Sequence, residues 1–244
     1  MKLRIKPGNI PVFALCAGVL GLGLRLLQFQ VGVDEKGLLI TWHPLSVIVL
    51  LLTGLVFGWM LYSVWPMSQA VQYDQIFPRS LSAALGTVVG AVGVVCYSVE
   101  LVLPMTDWYF WVEMASSLLA AGCMVYLAIQ RAKGSHANIW AWMGVSLFFL
   151  LHLVGCCRLW FNATQLDSYL YPVLSSSFPT LAVYYRAAMC DKAVGVRGYL
   201  FFGSAAAYCC LLSLVGSENP IFYGAMLIWM ATDCCRFQPR KVPA

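Results

Sequence analysis

The chain has 244 residues, of which 61% are hydrophobic and only 10% are charged, with a formal net charge of +5. A soluble domain has about 25% charged residues, and so few charges could not cover a surface that faces water. The composition therefore excludes a soluble enzyme, a disordered chain and a nucleic-acid-binding protein. It predicts an integral membrane protein that is surrounded by the lipid bilayer, which is therefore its first expected partner.

Eight apolar stretches follow one another along the chain. A helix that crosses a bilayer needs about 20 mainly apolar residues, and runs such as Val47–Val56 are apolar on every side, which a barrel strand is not. The predicted spans are Ile10–Val31, Trp42–Trp65, Pro78–Leu103, Trp108–Gln130, Asn138–Phe161, Ser168–Met189, Arg197–Val215 and Pro220–Cys235. We therefore expect an all-α, polytopic membrane helix bundle. The sixth span is the most polar and the eighth the shortest, so seven spans with one re-entrant segment is the alternative.

The basic residues predict the orientation of the bundle. Cytoplasmic loops of membrane proteins collect Lys and Arg, and eight spans with both termini in the cytoplasm place twelve of the 15 basic residues on that side. These twelve are Lys2, Arg4, Lys6, Arg79, Arg131, Lys133, Arg186, Lys192, Arg197, Arg236, Arg240 and Lys241. Because the loops are short, we expect one multi-pass domain of the cell membrane, with no soluble domain and no ATPase of its own.

A faint internal similarity divides the chain into residues 1–132 and 133–244. Arg79 and Glu100 bracket the third span, and Arg197 and Glu218 bracket the seventh span at the same separation. Four helices in each half would form a parallel repeat about an axis normal to the membrane. The thickness of the membrane explains the shared separation equally well, so both interpretations stay open.

Small residues recur at helical spacing in three of the spans. They are Gly18, Gly21 and Gly23 in the first span, Gly54 and Gly58 in the second, and Gly86, Gly90 and Gly93 in the third. Small residues let membrane helices approach closely. We expect these residues to pack helices together within the bundle, and a homodimer face is the alternative.

The ten cysteines show no CxxC motif and no spacing typical of a zinc site. A buried cysteine behaves as a small apolar side chain, and that is the role we expect for the cysteines. The sequence therefore predicts neither a metal site nor a bound cofactor.

Titratable side chains gather in the outer third of the predicted membrane. They are Arg25, His43, Glu100, Glu113, His152, Arg158 and Asp167. Glu113 and His152 lie about 9 Å below the outer surface at 1.5 Å per residue, which is too deep for these short side chains to reach the headgroups. Ionisable groups at such depth usually face a cavity or a partner. On the inner side we expect Asp233 to form a surface ion pair with Arg236, three residues later.

The other polar residues of the outer third have simpler explanations. Arg25, Glu100 and Arg158 are long enough to reach the headgroups from within the membrane. His43 precedes Pro44 and is typical of the start of a helix. These explanations stand beside a ligand-binding role.

The middle of the sixth span carries the segment Ser175-Ser176-Ser177-Phe178-Pro179. Proline removes a helical hydrogen bond, and interrupted helices at mid-membrane often line substrate sites of transporters. We expect either such an interruption or a helix in which the serine hydroxyls satisfy the freed carbonyl groups.

These features favour a small-molecule binding or transport protein with an outward-facing polar cavity. Its predicted ligand-binding residues are Glu113, His152, Arg25, His43, Arg158, Ser176 and Ser177. A non-catalytic membrane subunit or sensor that acts through a partner protein is the first alternative. An intramembrane enzyme that uses Glu113 and His152 as acid and base on a lipid-linked substrate is the second, and a haem protein with His43 and His152 as axial ligands is the third.

Overall fold

A computed structural model of the chain describes residues 7–32, 39–40, 43–67, 79–102, 108–135, 138–160, 166–190, 195–217 and 219–236. Within these ranges the fold is all-α, with eight helices and no strand. Four residues at the ends of predicted spans lie outside the described residues: Trp42, Pro78, Leu103 and Phe161. The predicted fold class is confirmed.

Each helix begins and ends within a few residues of a predicted span. The helices are α1 (Asn9–Val31), α2 (Pro44–Val64), α3 (Leu81–Val102), α4 (Trp108–Lys133), α5 (Ile139–Trp160), α6 (Leu166–Cys190), α7 (Val196–Ser213) and α8 (Pro220–Cys235). Six of them, α1 to α5 and α7, are long and apolar enough to cross a membrane. The chain is therefore an integral membrane protein by the length and composition of its helices. The remaining two, α6 and α8, are the spans predicted to be the most polar and the shortest.

Helices α7 and α8 form the centre of the bundle. Most side chains of α7 are buried, and the helix packs against α1, α2, α6 and α8. Helix α8 packs against α1 and α3 as well as α7. Large apolar side chains on α1 to α5 are exposed on the outside of the bundle, where lipid is the expected solvent. The polar side chains of α7 and α8 are thus held inside.

The glycines of α3 allow a close approach to α8. A methyl group at Gly90 would lie 3.1 Å from the Cβ of Trp229 and 2.7 Å from the Cε of Met124, and one at Gly93 would overlap Ala225. On α1, a methyl group at Gly18 would lie 2.9 Å from a side-chain carbon of Leu211 on α7. The prediction of packing within the bundle is confirmed for the glycines of α3 and for Gly18 and Gly21 of α1. It is wrong for Gly23, which is exposed and where a methyl group would have no atom within 4 Å.

The small-residue pair of α2 behaves differently. Gly54 and Gly58 are exposed, and a methyl group at either position would have no atom within 4 Å. Helix α2 lies at the edge of the bundle, where it packs against α1 and α7. The expectation that this pair packs α2 into the bundle is wrong, because the helix turns its apolar side chains Val49, Val56 and Met60 inward instead.

Helix α6 is continuous through both of its prolines, Pro172 and Pro179. The Ser175 and Ser176 hydroxyls donate to the Pro172 carbonyl at 2.8 and 3.0 Å, and the Ser177 hydroxyl donates to the Val173 carbonyl at 2.8 Å. The interrupted helix is thus wrong. The serine hydroxyls bond to carbonyl groups that the prolines do not free, so the alternative with serine hydroxyls on the freed carbonyl is not found at Ser175. The Ser175 carbonyl, which Pro179 deprives of its helical donor, faces the Cys210 thiol of α7 at 3.9 Å.

Candidate functional site

Glu113 is the centre of a buried hydrogen-bonded cluster that joins three helices. Its Oε1 atom accepts a hydrogen bond from the Tyr97 hydroxyl of α3 at 2.7 Å and lies 3.0 Å from Nδ1 of His152 on α5. Glu113 and His152 are each only 2% exposed. The two residues singled out by their depth in the sequence therefore touch each other directly inside the bundle.

Aromatic rings enclose the His152 imidazole. Its ring centroid lies 4.8 Å from that of Tyr97, 5.9 Å from that of Phe148 and 5.0 Å from that of Phe222 on α8. In such surroundings the hydrogen bonds to Glu113 are stronger than they would be in water, and loss of a partner is correspondingly costly. The cluster is held by packing as well as by hydrogen bonds.

Gly155 makes room for the Glu113 carboxylate. A methyl group at this position of α5 would lie 2.8 Å from Oε2 of Glu113 and 3.0 Å from a ring carbon of Tyr109. Any larger residue would force α4 and α5 apart or push the carboxylate away from its partners. Gly155 is therefore a positioning residue that the sequence reading did not identify.

Cys156 is a further member of the cluster. Its Sγ atom lies 3.6 Å from Nε2 of His152, which precedes it by one helical turn on α5. We expected the cysteines to be plain apolar side chains, and Cys156 differs because it contacts the imidazole. The spacing of four residues between His152 and Cys156 is the sequence signal that could have revealed it.

A separate group of polar side chains joins α6, α7 and α8. The Tyr223 hydroxyl of α8 interacts with the hydroxyls of Ser175 and Ser176 on α6. The Ser213 hydroxyl of α7 donates to the Ser175 hydroxyl at 3.2 Å. Ser176 thus belongs to this group of hydroxyls, and no described contact joins it to Glu113. The described bond of Ser177 is the one to the Val173 carbonyl of its own helix.

Arg25 lies in a second buried group, between α1 and α6. It is 0% exposed, its guanidinium carbon lies 4.5 Å from the ring centroid of Tyr171, and its Nε donates to the Val215 carbonyl at 3.4 Å. The Tyr171 hydroxyl in turn is 3.1 Å from the Thr53 hydroxyl of α2, which also contacts Tyr208 at 3.0 Å. The explanation that Arg25 reaches the headgroups is wrong, because its charge is held by an aromatic face and a carbonyl group inside the bundle.

The other predicted site residues lie at the ends of helices. His43 is half-buried and caps α2, where its Nδ1 accepts a hydrogen bond from the Leu45 amide at 3.3 Å. Arg158 is exposed and stacks over the Tyr109 ring at 4.6 Å. Glu100 is half-buried, and the side chain of Asp167 lies outside the described residues. The position of His43 fits the explanation that it starts a helix. The positions of Arg158 and Glu100 at helix ends fit the explanation that their side chains reach the lipid headgroups.

The ring nitrogens of His152 face protein atoms. Nδ1 lies 3.0 Å from the Glu113 carboxylate, and the Cys156 thiol lies beside the ring, 3.6 Å from Nε2 and 4.0 Å from Nδ1. Because aromatic rings enclose the buried imidazole, this arrangement does not fit an axial haem ligand, which would need one nitrogen directed at iron. Among the described residues, no group of three or more His, Cys, Asp and Glu side chains could hold a metal ion.

A second ionic cluster lies at the other end of the bundle around Asp233 of α8. Oδ2 of Asp233 accepts hydrogen bonds from Nη1 of Arg186 on α6 at 2.6 Å and from the Tyr199 hydroxyl of α7. Oδ1 lies 3.7 Å from Nη2 of Arg131 on α4. All four residues are buried.

The expected surface pair of Asp233 with Arg236 is wrong. Nε of Arg236 instead donates to the Ser82 hydroxyl at 3.0 Å. Asp233 points into the bundle, where arginines from two other helices reach it. The sequence places Arg131 and Arg186 on the cytoplasmic side, and the structure shows that both side chains belong to the packed interior.

The space around these clusters also differs from the polar vestibule that we expected. A cavity of about 300 Å³ lies between α3 and α4 and is lined by apolar side chains, among them Val88, Val92, Val95 and Val125. It lies on the lipid-facing side of these helices and is separate from the Glu113 cluster. The polar residues of that cluster are packed against one another.

Comparison of the chain with protein families, with curated proteins and with solved structures finds no match. The site is therefore interpreted from its own geometry. A carboxylate in contact with an imidazole and a phenol can hold and pass a proton.

Proposed function

We propose that this protein binds a small molecule in the membrane or carries it across, and that Glu113 and His152 hold the proton exchanged during binding. The observation that carries this proposal is the sharing of one buried carboxylate by Tyr97 and His152 from two other helices. Ionisable groups inside a membrane are costly and typically form ligand sites or proton relays.

Two groups of polar side chains on neighbouring helices support a route between them. Glu113 and His152 form one group, and Tyr223 with Ser176 on α6 forms the other. In the described conformation both groups are buried, so a ligand would enter only when α5, α6 and α8 separate. Arg158, exposed at the end of α5, is a cation placed to meet a ligand on entry. Arg25 is buried between α1 and α6 and would be reached only after the helices separate.

We further propose that all eight helices cross the membrane with both termini in the cytoplasm. Four basic residues lie in or next to helix ends at one end of the bundle: Arg79, Lys133, Arg197 and Arg236. Because basic residues collect on the cytoplasmic side, they support this orientation. Six of the twelve basic residues from which the orientation is inferred lie outside the described residues: Lys2, Arg4, Lys6, Lys192, Arg240 and Lys241.

Reporter fusions test this orientation. A fluorescent protein fused after Ala244 should fluoresce, and alkaline phosphatase fused at the same position should be inactive, because that enzyme folds only outside the cytoplasm. Alkaline phosphatase fused after Ser217, between α7 and α8, should be active. The reverse pattern at either position would contradict the orientation with eight spans.

Binding of a ligand should depend on pH through Glu113. The purified protein in detergent is mixed with a panel of amines, carboxylic acids, nucleosides and sugars, and stabilisation against heat is measured between about pH 5 and pH 8, where histidine usually changes charge. We expect the Glu113→Gln variant to lose the pH dependence of the stabilising ligand, because the amide cannot exchange the proton.

The matched control is Glu100→Gln, which changes a half-buried carboxylate at the end of α3. This variant should keep the pH dependence of the wild type. A ligand whose binding has the same pH dependence in wild type and Glu113→Gln would contradict the proposed role of Glu113.

A non-catalytic subunit that acts through a partner membrane protein is the second candidate. The close packing of Glu113, His152 and Arg25, each at most 2% exposed, favours it, because a resting ligand site is usually more open. The outward-facing pair Gly54 and Gly58 on α2 would suit contact with another membrane helix. Failure of the whole panel, together with stoichiometric co-purification of one membrane protein from the native membrane, would favour this candidate.

A further inference from the structure

Three exposed basic residues from three helix ends form a cluster at the start of α3. Arg79 comes just before α3, Lys133 ends α4, and Arg236 directly follows α8. A methyl group at Gly134 would lie 3.2 Å from the Cβ of Arg79, and Nε of Arg236 donates to the Ser82 hydroxyl at 3.0 Å. The ends of α4 and α8 therefore both touch the chain within three residues of Arg79. We call these three cations the basic cluster.

The described carboxylate at this end of the bundle is turned away from the basic cluster. It belongs to Asp233, which is buried and accepts hydrogen bonds from Arg186 and from the Tyr199 hydroxyl. Asp74 and Asp191 lie outside the described residues. The described surface at this end is therefore positively charged, and basic residues next to membrane helices attract anionic lipid headgroups.

An apolar groove lies between the same two helices that carry Arg79 and Lys133. Its volume is about 300 Å³, and it is open to the lipid between the exposed side chains of Val92 and Val125. The buried Ala91 and Ala121, together with Gly122, line it with side chains of one carbon or none. A chain of methylene groups fits such a surface, because helices and lipid tails associate in the membrane by van der Waals contact.

The groove and the basic cluster are spaced as the two parts of one lipid. Val88 is nine residues after Arg79, and Val125 is eight residues before Lys133, so the groove begins about 12–14 Å from the cluster at 1.5 Å per residue. It continues for about 12 Å more, from Val88 to Cys96. Half of the hydrocarbon layer is about 15 Å thick. A lipid with its headgroup at the cluster would thus place the distal part of an acyl chain in the groove.

We propose that this surface binds one anionic phospholipid, with its phosphate at the basic cluster and one acyl chain in the groove between α3 and α4. A zwitterionic headgroup would bring a further cation to three cations, so a net negative headgroup is preferred. In the orientation proposed above, the lipid belongs to the cytoplasmic leaflet, which carries the anionic lipids. Binding of this lipid does not depend on the proposed small-molecule function and is measured with the lipid itself.

Native mass spectrometry tests the preference for an anionic headgroup. The full-length protein in detergent micelles is mixed with equal amounts of dioleoyl phosphatidylglycerol and dioleoyl phosphatidylcholine, which differ in the headgroup. We expect one molecule of phosphatidylglycerol to stay bound, with an apparent Kd at least about 10-fold lower than that of phosphatidylcholine. Equal retention of the two lipids would overturn the proposal.

Variants of the basic cluster locate the headgroup. Combining Arg79→Gln, Lys133→Gln and Arg236→Gln should raise the Kd of phosphatidylglycerol by about 10-fold or more and leave that of phosphatidylcholine unchanged. The matched control is Arg197→Gln, which removes a cation of the same end on α7, where Nε donates to the Met67 carbonyl at 2.6 Å. This control should stay within about 2-fold of the wild type, because salt screens distant surface charges. An equal loss in the control would show general attraction to a positive surface and would contradict a site at the cluster.

A photoreactive lipid locates the acyl chain on the wild type, with no variant that has to fold. Phosphatidylglycerol with a diazirine in the distal half of one chain is bound and irradiated, and the modified peptides are sequenced by mass spectrometry. The label should fall between Val88 and Cys96 of α3 and between Ala121 and Val125 of α4, and dioleoyl phosphatidylglycerol should compete with it. Labelling spread evenly over the lipid-facing surfaces of α1 to α5 would exclude the groove.

Filling the groove separates the contribution of the chain from that of the headgroup. Gly122→Phe should weaken the binding of dioleoyl phosphatidylglycerol by about 5-fold, because the ring takes the place of van der Waals contacts with the chain. Binding of dihexanoyl phosphatidylglycerol, whose chains are too short to reach the groove, should not change. Leu150→Phe, on the lipid-facing side of α5, is the control and should affect neither lipid. Unchanged binding of the dioleoyl lipid to Gly122→Phe would contradict the proposed position of the chain.

Discussion

Replacing Asp233 with alanine is expected to lower the free energy of unfolding by about 3–5 kcal/mol, the usual cost of removing one partner from a buried ion pair. Asp233 accepts from Arg186 at 2.6 Å, from the Tyr199 hydroxyl, and faces Arg131 at 3.7 Å. Its loss would take away the carboxylate that α4, α6 and α7 share at this end of the bundle. Denaturation with sodium dodecyl sulfate in mixed micelles measures the difference.

Arg236→Ala is the matched control for Asp233→Ala. Arg236 follows Asp233 by three residues, and its described bond is to the exposed side of α3 through Ser82. Its replacement should change the free energy of unfolding by no more than about 0.5 kcal/mol, as for most surface substitutions. Equal effects of the two substitutions would show that Asp233 makes no special contribution to the interior.

Replacing Gly155 with valine is expected to destabilise the protein by about 3 kcal/mol, from overpacking together with lost hydrogen bonds to a charged group. The first added carbon alone would lie 2.8 Å from Oε2 of Glu113 and 3.0 Å from the Tyr109 ring. The carboxylate would then have to leave the positions at which Tyr97 and His152 reach it. The same denaturation measurement applies.

Gly122→Val controls for the change of glycine to a branched residue within a helix. Gly122 is an exposed residue of α4, and a methyl group there has no atom within 4 Å. This variant should be about as stable as the wild type. If Gly155→Val were equally well tolerated, the close approach of α5 to the Glu113 carboxylate would be wrong.

The positions of the helices could be predicted because lipid constrains the sequence strongly. A spanning segment must satisfy every backbone polar group internally, so it is helical and apolar over its whole length. The two helices that fall short of a clear membrane span, α6 and α8, are also the two that the sequence marked as the most polar and the shortest. Hydropathy therefore located the elements but carried no information on which helices touch.

The candidate site could be predicted only in part. Glu113 and His152 were found because their depth in the membrane is unusual for titratable residues. Tyr97 was missed because tyrosine is common in membrane helices, and only the packing of α3 against α4 gives it a polar partner. Cys156 was missed because a cysteine in a membrane helix was taken as an apolar side chain, although its partner His152 lies four residues away on the same helix. Depth along a helix can be counted from the sequence, whereas the rotation of one helix against another cannot.

The two errors about charged residues have the same origin. Arg25 is long enough to reach the headgroups, but the Tyr171 ring and a carbonyl group hold it inside. Asp233 has an arginine three residues away on its own helix, but Arg186 of α6 lies closer in space. Local spacing predicts a partner only where no tertiary contact competes with it.

The direct contact of Glu113 with His152 is the central claim, and a double-mutant cycle tests it most directly. The free energies of unfolding of wild type, Glu113→Ala, His152→Ala and the double variant are measured in mixed micelles. The contact predicts a coupling energy of about 1–3 kcal/mol between the two positions. Effects that add to within about 0.5 kcal/mol, as for residues that do not touch, would contradict it.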